Sequence, residues 1–109
     1  MHAFYMLAGS VMTTSKLEEI QDLLKQLGIQ SNLLDEELEL ECPASFVLRY
    51  GFEHEYIVVG DSSDRETLEQ QSRWLSGCLI QIRLQHEFEL YDTDNNLILS
   101  IDHVPASND

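Results

Sequence analysis

Apolar and polar side chains alternate between Ile80 and Leu90, the longest such run in the chain. One side carries the apolar residues Ile80, Ile82, Leu84, Phe88 and Leu90, and the other carries Gln81, Arg83, Gln85, Glu87 and Glu89. Because successive side chains of a strand point to opposite faces, the run predicts a long strand with one buried and one solvated face. The polar stretch 92–96 then leads into Leu97, Leu99 and Ile101, which predicts a hairpin.

Shorter patterns predict further strands. Leu38 and Leu40 alternate with glutamates, and Pro43 ends that strand or marks a sheet edge. Residues 46–50 continue the alternation and residues 56–59 are rich in β-branched side chains, so we expect two strands joined around residues 51–53. The apolar stretch 3–8 is typical of a short buried strand ending at residues 9 and 10. Residues 1–11 therefore supply the first strand, or alternatively form an extension upstream of a start at Met12.

Two capping boxes predict where helices begin, because a hydroxyl and a carboxylate at this spacing satisfy free backbone N–H groups. The first box is Ser15 with Glu18, and the helix that follows aligns an apolar face and ends near Gly28. The residues of that face are Leu17, Ile20, Leu24 and Leu27. The second box is Ser63 with Glu66.

The second helix is expected at about residues 64–76, with Gly77 as its terminator. Its only bulky apolar residues are Leu68, Trp74 and Leu75, so it should lie on the surface with Trp74 as its main anchor. We therefore expect one acidic α+β domain over residues 1–109, with a frayed tail at residues 105–109. Its antiparallel sheet should have about five to six strands, with both helices on one face and the order β-α-β-β-β-α-β-β.

The chain is strongly acidic, with 20 Asp and Glu against 6 Lys and Arg and a formal net charge of -14. Phosphate recognition depends on clustered Lys and Arg, so the charge argues against direct nucleic-acid binding and against anionic membrane surfaces. A protein with a basic surface is the natural partner. Cys42 and Cys78 form no CxxC pattern and are interpreted as buried, reduced thiols. We expect a cytoplasmic protein.

Motifs for catalysis or metal binding are weak. The turn 92–96 resembles the opening of a calcium loop, but Leu97 replaces the required Gly and His103 the bidentate Glu, so we interpret it as a hairpin turn. His54 and His86 each lie beside a Glu in a predicted strand, which places the neighbours on opposite faces, and we interpret His86 as a hydrogen-bonded core histidine. The nucleophile candidates are Cys42, Ser62 and Ser63, and none has an evident activating partner. We expect no enzyme, metal or cofactor.

Glutamates at every second position are the main candidate site. Carboxylates on one strand face stand at intervals of about 6.7 Å, fixed by the backbone, and could dock an Arg-rich surface or imitate a polyanion. The predicted partner-binding residues are Asp35, Glu36, Glu37, Glu39, Glu41, Glu53, Glu55, Glu87 and Glu89. The alternative is a solvated face that only keeps the protein in solution.

Three functions stay open. The first is a non-enzymatic module that binds a basic partner surface, as an inhibitor, immunity protein or nucleic-acid mimic would. The second function rests on the order of helices and strands. From Ser15 to about Val104 this order and the acidity resemble the small acidic chaperones of bacterial protein-secretion systems. That family also has a closing helix, which this sequence lacks. The resemblance implies a homodimer that presents apolar sheet surface to an extended client. The third is a small enzyme or ligand-binding domain without a recognisable motif.

Overall fold

The computed structural model describes residues 4–42 and 45–105. Its elements in chain order are β1 (Tyr5–Met12), α1 (Leu17–Gln26), β2 (Ser31–Leu33), β3 (Glu37–Leu40), β4 (Val47–Phe52), β5 (Glu55–Ser62), α2 (Arg65–Gln81), β6 (Gln85–Tyr91) and β7 (Leu97–His103). The α+β class and the antiparallel sheet are confirmed, with seven strands where five to six were predicted. The additional strand is β2, too short for a pattern of period two to reveal. The expectations for Pro43 and for most of the C-terminal tail lie outside the described residues.

All seven strands form one sheet in the order β2-β3-β4-β5-β1-β6-β7, and every neighbouring pair is antiparallel. Strand β1 therefore lies near the centre, between β5 and β6. It is longer than the predicted strand at residues 3–8 and runs through Gly9 and Ser10. Gly9 is required there because a side chain would collide with the Glu87 backbone carbonyl of β6.

The core lies between one face of the sheet and the two helices. Alternate sheet residues are buried, among them Leu7, Val11, Leu38, Leu48, Val58, Phe88 and Leu90. They form a single hydrophobic cluster with Leu17, Ile20 and Leu24 of α1 and Leu68, Leu75 and Leu79 of α2. The residues that alternate with these along the strands lie on the opposite face of the sheet, among them Met6, Ile57, Glu87 and Glu89, and we call it the open face.

Helix α1 has the predicted apolar face but begins one residue later than predicted. Its N-cap is Lys16, whose backbone N–H donates to the Glu19 carboxylate at 3.0 Å, in place of the expected pair Ser15 and Glu18. Gly28 follows the helix with a φ of 84°, a left-handed conformation that favours glycine.

Helix α2 differs most from prediction. It begins after Asp64, whose carboxylate accepts from the Thr67 N–H at 3.0 Å, so the predicted cap at Ser63 is wrong. The helix continues through Gly77 to Gln81 and takes up the start of the predicted long strand. Its buried stripe is Leu68, Ser72, Leu75, Ser76 and Leu79. Because serines occupy two of these positions, a search for apolar residues alone does not show the stripe.

Two apolar residues that were predicted to anchor their elements to the core are exposed. Trp74, the expected anchor, is 39% exposed, and Ile80 is exposed on the last turn of the helix. Ile82, predicted to face inward from the strand, is instead the half-buried C-cap of α2. The inward side of the alternation is confirmed for Leu84, Phe88 and Leu90, which are buried. The described helices include none that is long and apolar enough to cross a membrane.

Candidate functional site

The open face has an apolar strip along its centre. Strand β1 contributes Met6, Ala8 and Met12, and the neighbouring β5 contributes Ile57 and Val59. The strip is interrupted by Ser10, which lies opposite Ile57, and it ends at the exposed Asp61, which lies opposite Met6. Met6 is 53% exposed and Ile57 is 38% exposed. Exposed apolar side chains grouped on one surface are typical of an interaction site, and methionine adapts its shape to different partners.

A group of carboxylates borders the strip on its β6 side. Glu87 and Glu89 face outward from β6, as the alternation predicted. The structure adds Asp102, which lies directly opposite Glu87 on β7. Like charges directly opposite each other in a sheet are destabilising, so this grouping is maintained at a cost to stability. The hairpin alternation could have identified Asp102, because Leu99 and Ile101 point inward.

The other side of the strip ends at β3, where Glu37 and Glu39 face outward and are half-buried. Glu37 is partly neutralised, since its carboxylate lies 3.1 Å from the Arg49 guanidinium on β4. Three strands separate β3 from β6, which places the two acidic rows about 19 Å apart at the usual strand spacing of ~4.8 Å. The sequence could not show this separation, because it depends on β1 pairing between β5 and β6.

The remaining predicted acids do not join these rows. Asp35 and Glu36 are exposed in the turn between β2 and β3, and Glu41 is exposed after β3. Glu53 lies in the turn between β4 and β5, and Glu55 begins β5 opposite Met12.

His54 also lies in the turn between β4 and β5, so its expected place within a strand is wrong. Its φ is 65°, a left-handed conformation found in tight turns. The imidazole lies 3.4 Å from the Glu53 carboxylate.

A cleft of about 630 Å³ opens at one end of the domain, between the start of α1, the turn from β2 to β3, and β4. Leucines and two tyrosines line part of it, and Lys16, Glu18, Asp35 and Glu36 line the rest. A second, smaller cleft of about 240 Å³ shares both tyrosines and includes Glu53 and Glu55. Four of the predicted acids are therefore grouped around this end of the molecule.

A buried Ser–His pair is the polar feature that sequence reasoning described only in part. His86 Nδ1 lies 2.8 Å from the Leu84 carbonyl, which can only accept, so Nδ1 carries the hydrogen. Ser76 then donates to Nε2 at 2.6 Å. Both side chains are buried and neither lines the two clefts described above. We interpret the pair as a structural connection between α2 and β6, which confirms His86 as a hydrogen-bonded core residue.

The other chemical candidates have ordinary environments. Ser62 accepts from the Asp64 N–H at 3.1 Å. Burial raises the pKa of the Cys78 thiol, whereas Cys42, expected to be buried, is only half-buried. Asp92 accepts from the N–H groups of Asp94 and Asn96, which confirms a hairpin turn. Within residues 4–42 and 45–105, no three His, Cys, Asp or Glu side chains are grouped to hold a metal ion.

Comparisons with known proteins show no relative: no family model, no curated protein and no solved structure matches this chain. Function therefore has to be inferred from geometry and charge.

Proposed function

We propose that this chain is a protein-binding module whose open face docks a cationic amphipathic helix presented by a basic partner. The observation that carries the proposal is the exposed apolar strip between two acidic rows. Met6 and Ile57 supply accessible apolar surface, and Glu87 and Glu89 supply negative charge beside it. A face whose only role is to keep the protein in solution would not need exposed apolar side chains at its centre.

The dimensions fit such a helix. An α-helix with its side chains is about 10–12 Å wide, so it lies within the roughly 19 Å between the acidic rows. Lysine or arginine side chains on its flanks would then reach the carboxylates while its apolar face covers the strip. Complementary charges of this kind accelerate encounter and fix orientation.

The repulsion across β6 and β7 supports a binding role as well. Glu87 and Asp102 are directly opposite and have no cation within ion-pair distance among the described residues. A cationic partner would relieve this repulsion, so stability lost in the free protein is recovered in the complex.

The test uses a fluorescent helical peptide with leucines on one face and lysines and arginines beside them. Association rates with the double variant Glu87→Gln/Glu89→Gln are compared at low and high salt with those of the unaltered chain. The matched control is Asp22→Asn/Asp94→Asn, which removes the same charge from an exposed helix position and a turn. We expect slower association and a flatter salt dependence for the glutamate variant, and a much smaller effect for the control. Equal effects would mean that net charge alone attracts the peptide.

The second candidate is the acidic homodimeric chaperone, and the observation that favours it is the edge strand β7. Its seven residues lie at the end of the sheet, with Leu97 54% exposed. An unpaired edge can add a strand from an extended client or from a second copy. Light scattering after size exclusion distinguishes the two candidates, because a stable dimer supports the chaperone and a monomer supports the docking module.

A further inference from the structure

The larger cleft has an apolar floor that is open to solvent. Leu33 is 37% exposed, Leu34 is 49% exposed and Tyr50 is 58% exposed, and all three line the same cavity. Its volume of about 630 Å³ lies within the roughly 300–1,000 Å³ typical of ligand pockets. A grouping of exposed leucines and an aromatic ring around one cavity marks a contact surface more strongly than the same residues scattered over the molecule.

The aromatic part of the cleft is held in place by the fold. The Tyr56 hydroxyl donates to the Ser15 carbonyl at 2.7 Å, which anchors its ring between β5 and the start of α1. Tyr50 packs edge-on against it, with ring centroids 6.1 Å apart and an interplanar angle of 81°. The accessible ring of Tyr50 is therefore positioned by a buried neighbour.

The polar part of the cleft carries more negative than positive side chains, and its carboxylates form no ion pair among the described residues. Glu18, Asp35 and Glu36 line the cavity, and none of them forms an ion pair within the described part of the chain. Lys16 is the one basic residue in the lining. Burial, and to a smaller extent the charge of Glu18, raise the pKa of Tyr56.

We propose that this cleft binds an arginine side chain of a protein partner. The aliphatic part of the arginine lies on Leu33 and Leu34, its guanidinium stacks on Tyr50, and its N–H groups donate to the carboxylates of Asp35 and Glu36. A cation over an aromatic ring is attracted by the negative face of the ring. Arginine fits better than lysine, because the planar guanidinium stacks on aromatic rings and donates to carboxylates through two parallel hydrogen bonds.

The site is separate from the open face and does not depend on the docking proposed there. Leu33, Leu34 and Tyr50 are not part of the central strip, and a single arginine does not need the amphipathic helix. A small probe therefore tests the cleft by itself.

The experiment follows backbone amide shifts of the isotope-labelled protein during titration with N-acetyl-arginine amide. Parallel titrations use the lysine and citrulline analogues; citrulline keeps the shape of arginine and lacks its charge. Tyr50→Leu removes the ring, and Phe52→Leu is the matched control, since Phe52 is 73% exposed on the same strand and does not line the cleft. Lys16→Gln removes the competing cation at the N-cap of α1, and Lys25→Gln in the last turn of that helix is its control.

We expect arginine to shift the amides of residues 33–36 and 50, lysine to bind more weakly and citrulline to leave them unchanged. Tyr50→Leu should weaken arginine binding by about 2- to 30-fold, the range of a cation–π contact, and Phe52→Leu should leave it unaltered. Lys16→Gln should strengthen binding, whereas Lys25→Gln should not. Equal shifts with citrulline, or arginine shifts distributed over all acidic segments, would overturn the proposal.

Discussion

Replacing Ser76 by Ala should destabilise the fold, whereas the same change at Ser72, one turn earlier on α2, should not. Both serines are buried, with exposures of 4% and 0%. They differ in one respect: Ser76 donates to His86, and the Ser72 hydroxyl has no hydrogen-bond partner within the described residues. The two substitutions therefore remove the same atom from one helix face, with and without a hydrogen bond.

The magnitude follows from what each change leaves behind. Without Ser76, the Nε2 atom of His86 becomes a buried acceptor with no partner, which costs about 1–3 kcal/mol. Alanine favours a helix over serine by roughly 0.5 kcal/mol, and this gain applies to both variants. We expect Ser76→Ala to lower the free energy of unfolding by about 0.5–2.5 kcal/mol and Ser72→Ala to leave it level or raise it.

Urea unfolding followed by circular dichroism measures both values, with linear extrapolation to water. The comparison is valid if the two variants keep the same slope, because an altered slope would indicate a changed denatured state. Equal transition midpoints for the two variants would refute the assignment of a stabilising hydrogen bond to Ser76 and His86.

Two further predictions concern the buried His86 and a pair of glycines. Burial lowers the pKa of His86 below its ordinary 6.5, so the unfolded chain holds the proton more tightly. The free energy of unfolding should therefore decline as the pH falls through 6.5, by at most about 1.4 kcal/mol near pH 5.5. The variant His86→Gln should lack this pH-dependent loss. Gly60→Ala should destabilise the fold by about 1–3 kcal/mol, because the added methyl group collides with the Phe46 ring. Gly77→Ala should stabilise it by up to about 1 kcal/mol, because the added methyl group meets open space and alanine favours a helix over glycine. Thermal melts that rank the two glycine variants in the opposite order would contradict the packing described.

The sequence patterns predicted local structure better than long-range pairing. The alternation of Glu87 and Glu89 with Phe88 and Leu90 placed the carboxylates on the solvated face, and the structure agrees. Helix α2 was predicted too short because Gly77 is a common terminator, although here the helix continues through it.

The arrangement of the candidate site was mostly beyond sequence reasoning. The two acidic rows are separated because β1 pairs between β5 and β6. Strand β1 is remote in sequence from both of these strands, so no local pattern predicts the pairing. The cleft has the same origin, since Leu34 from a turn and Tyr50 from a strand approach each other only in the folded chain. Period-two patterns indicate which face a residue takes, and they carry no information on which strand lies beside it.

The methionine methyl groups test the central proposal most directly, because Met6 and Met12 both lie on the open face. A protein labelled at the methionine methyls is titrated with the cationic helical peptide, and with a matched peptide that has glutamate in place of lysine and arginine. We expect the cationic peptide to shift the Met6 and Met12 signals at physiological salt and the acidic peptide to leave them unchanged. Binding of the cationic peptide with both methyl signals unmoved would contradict docking on the open face.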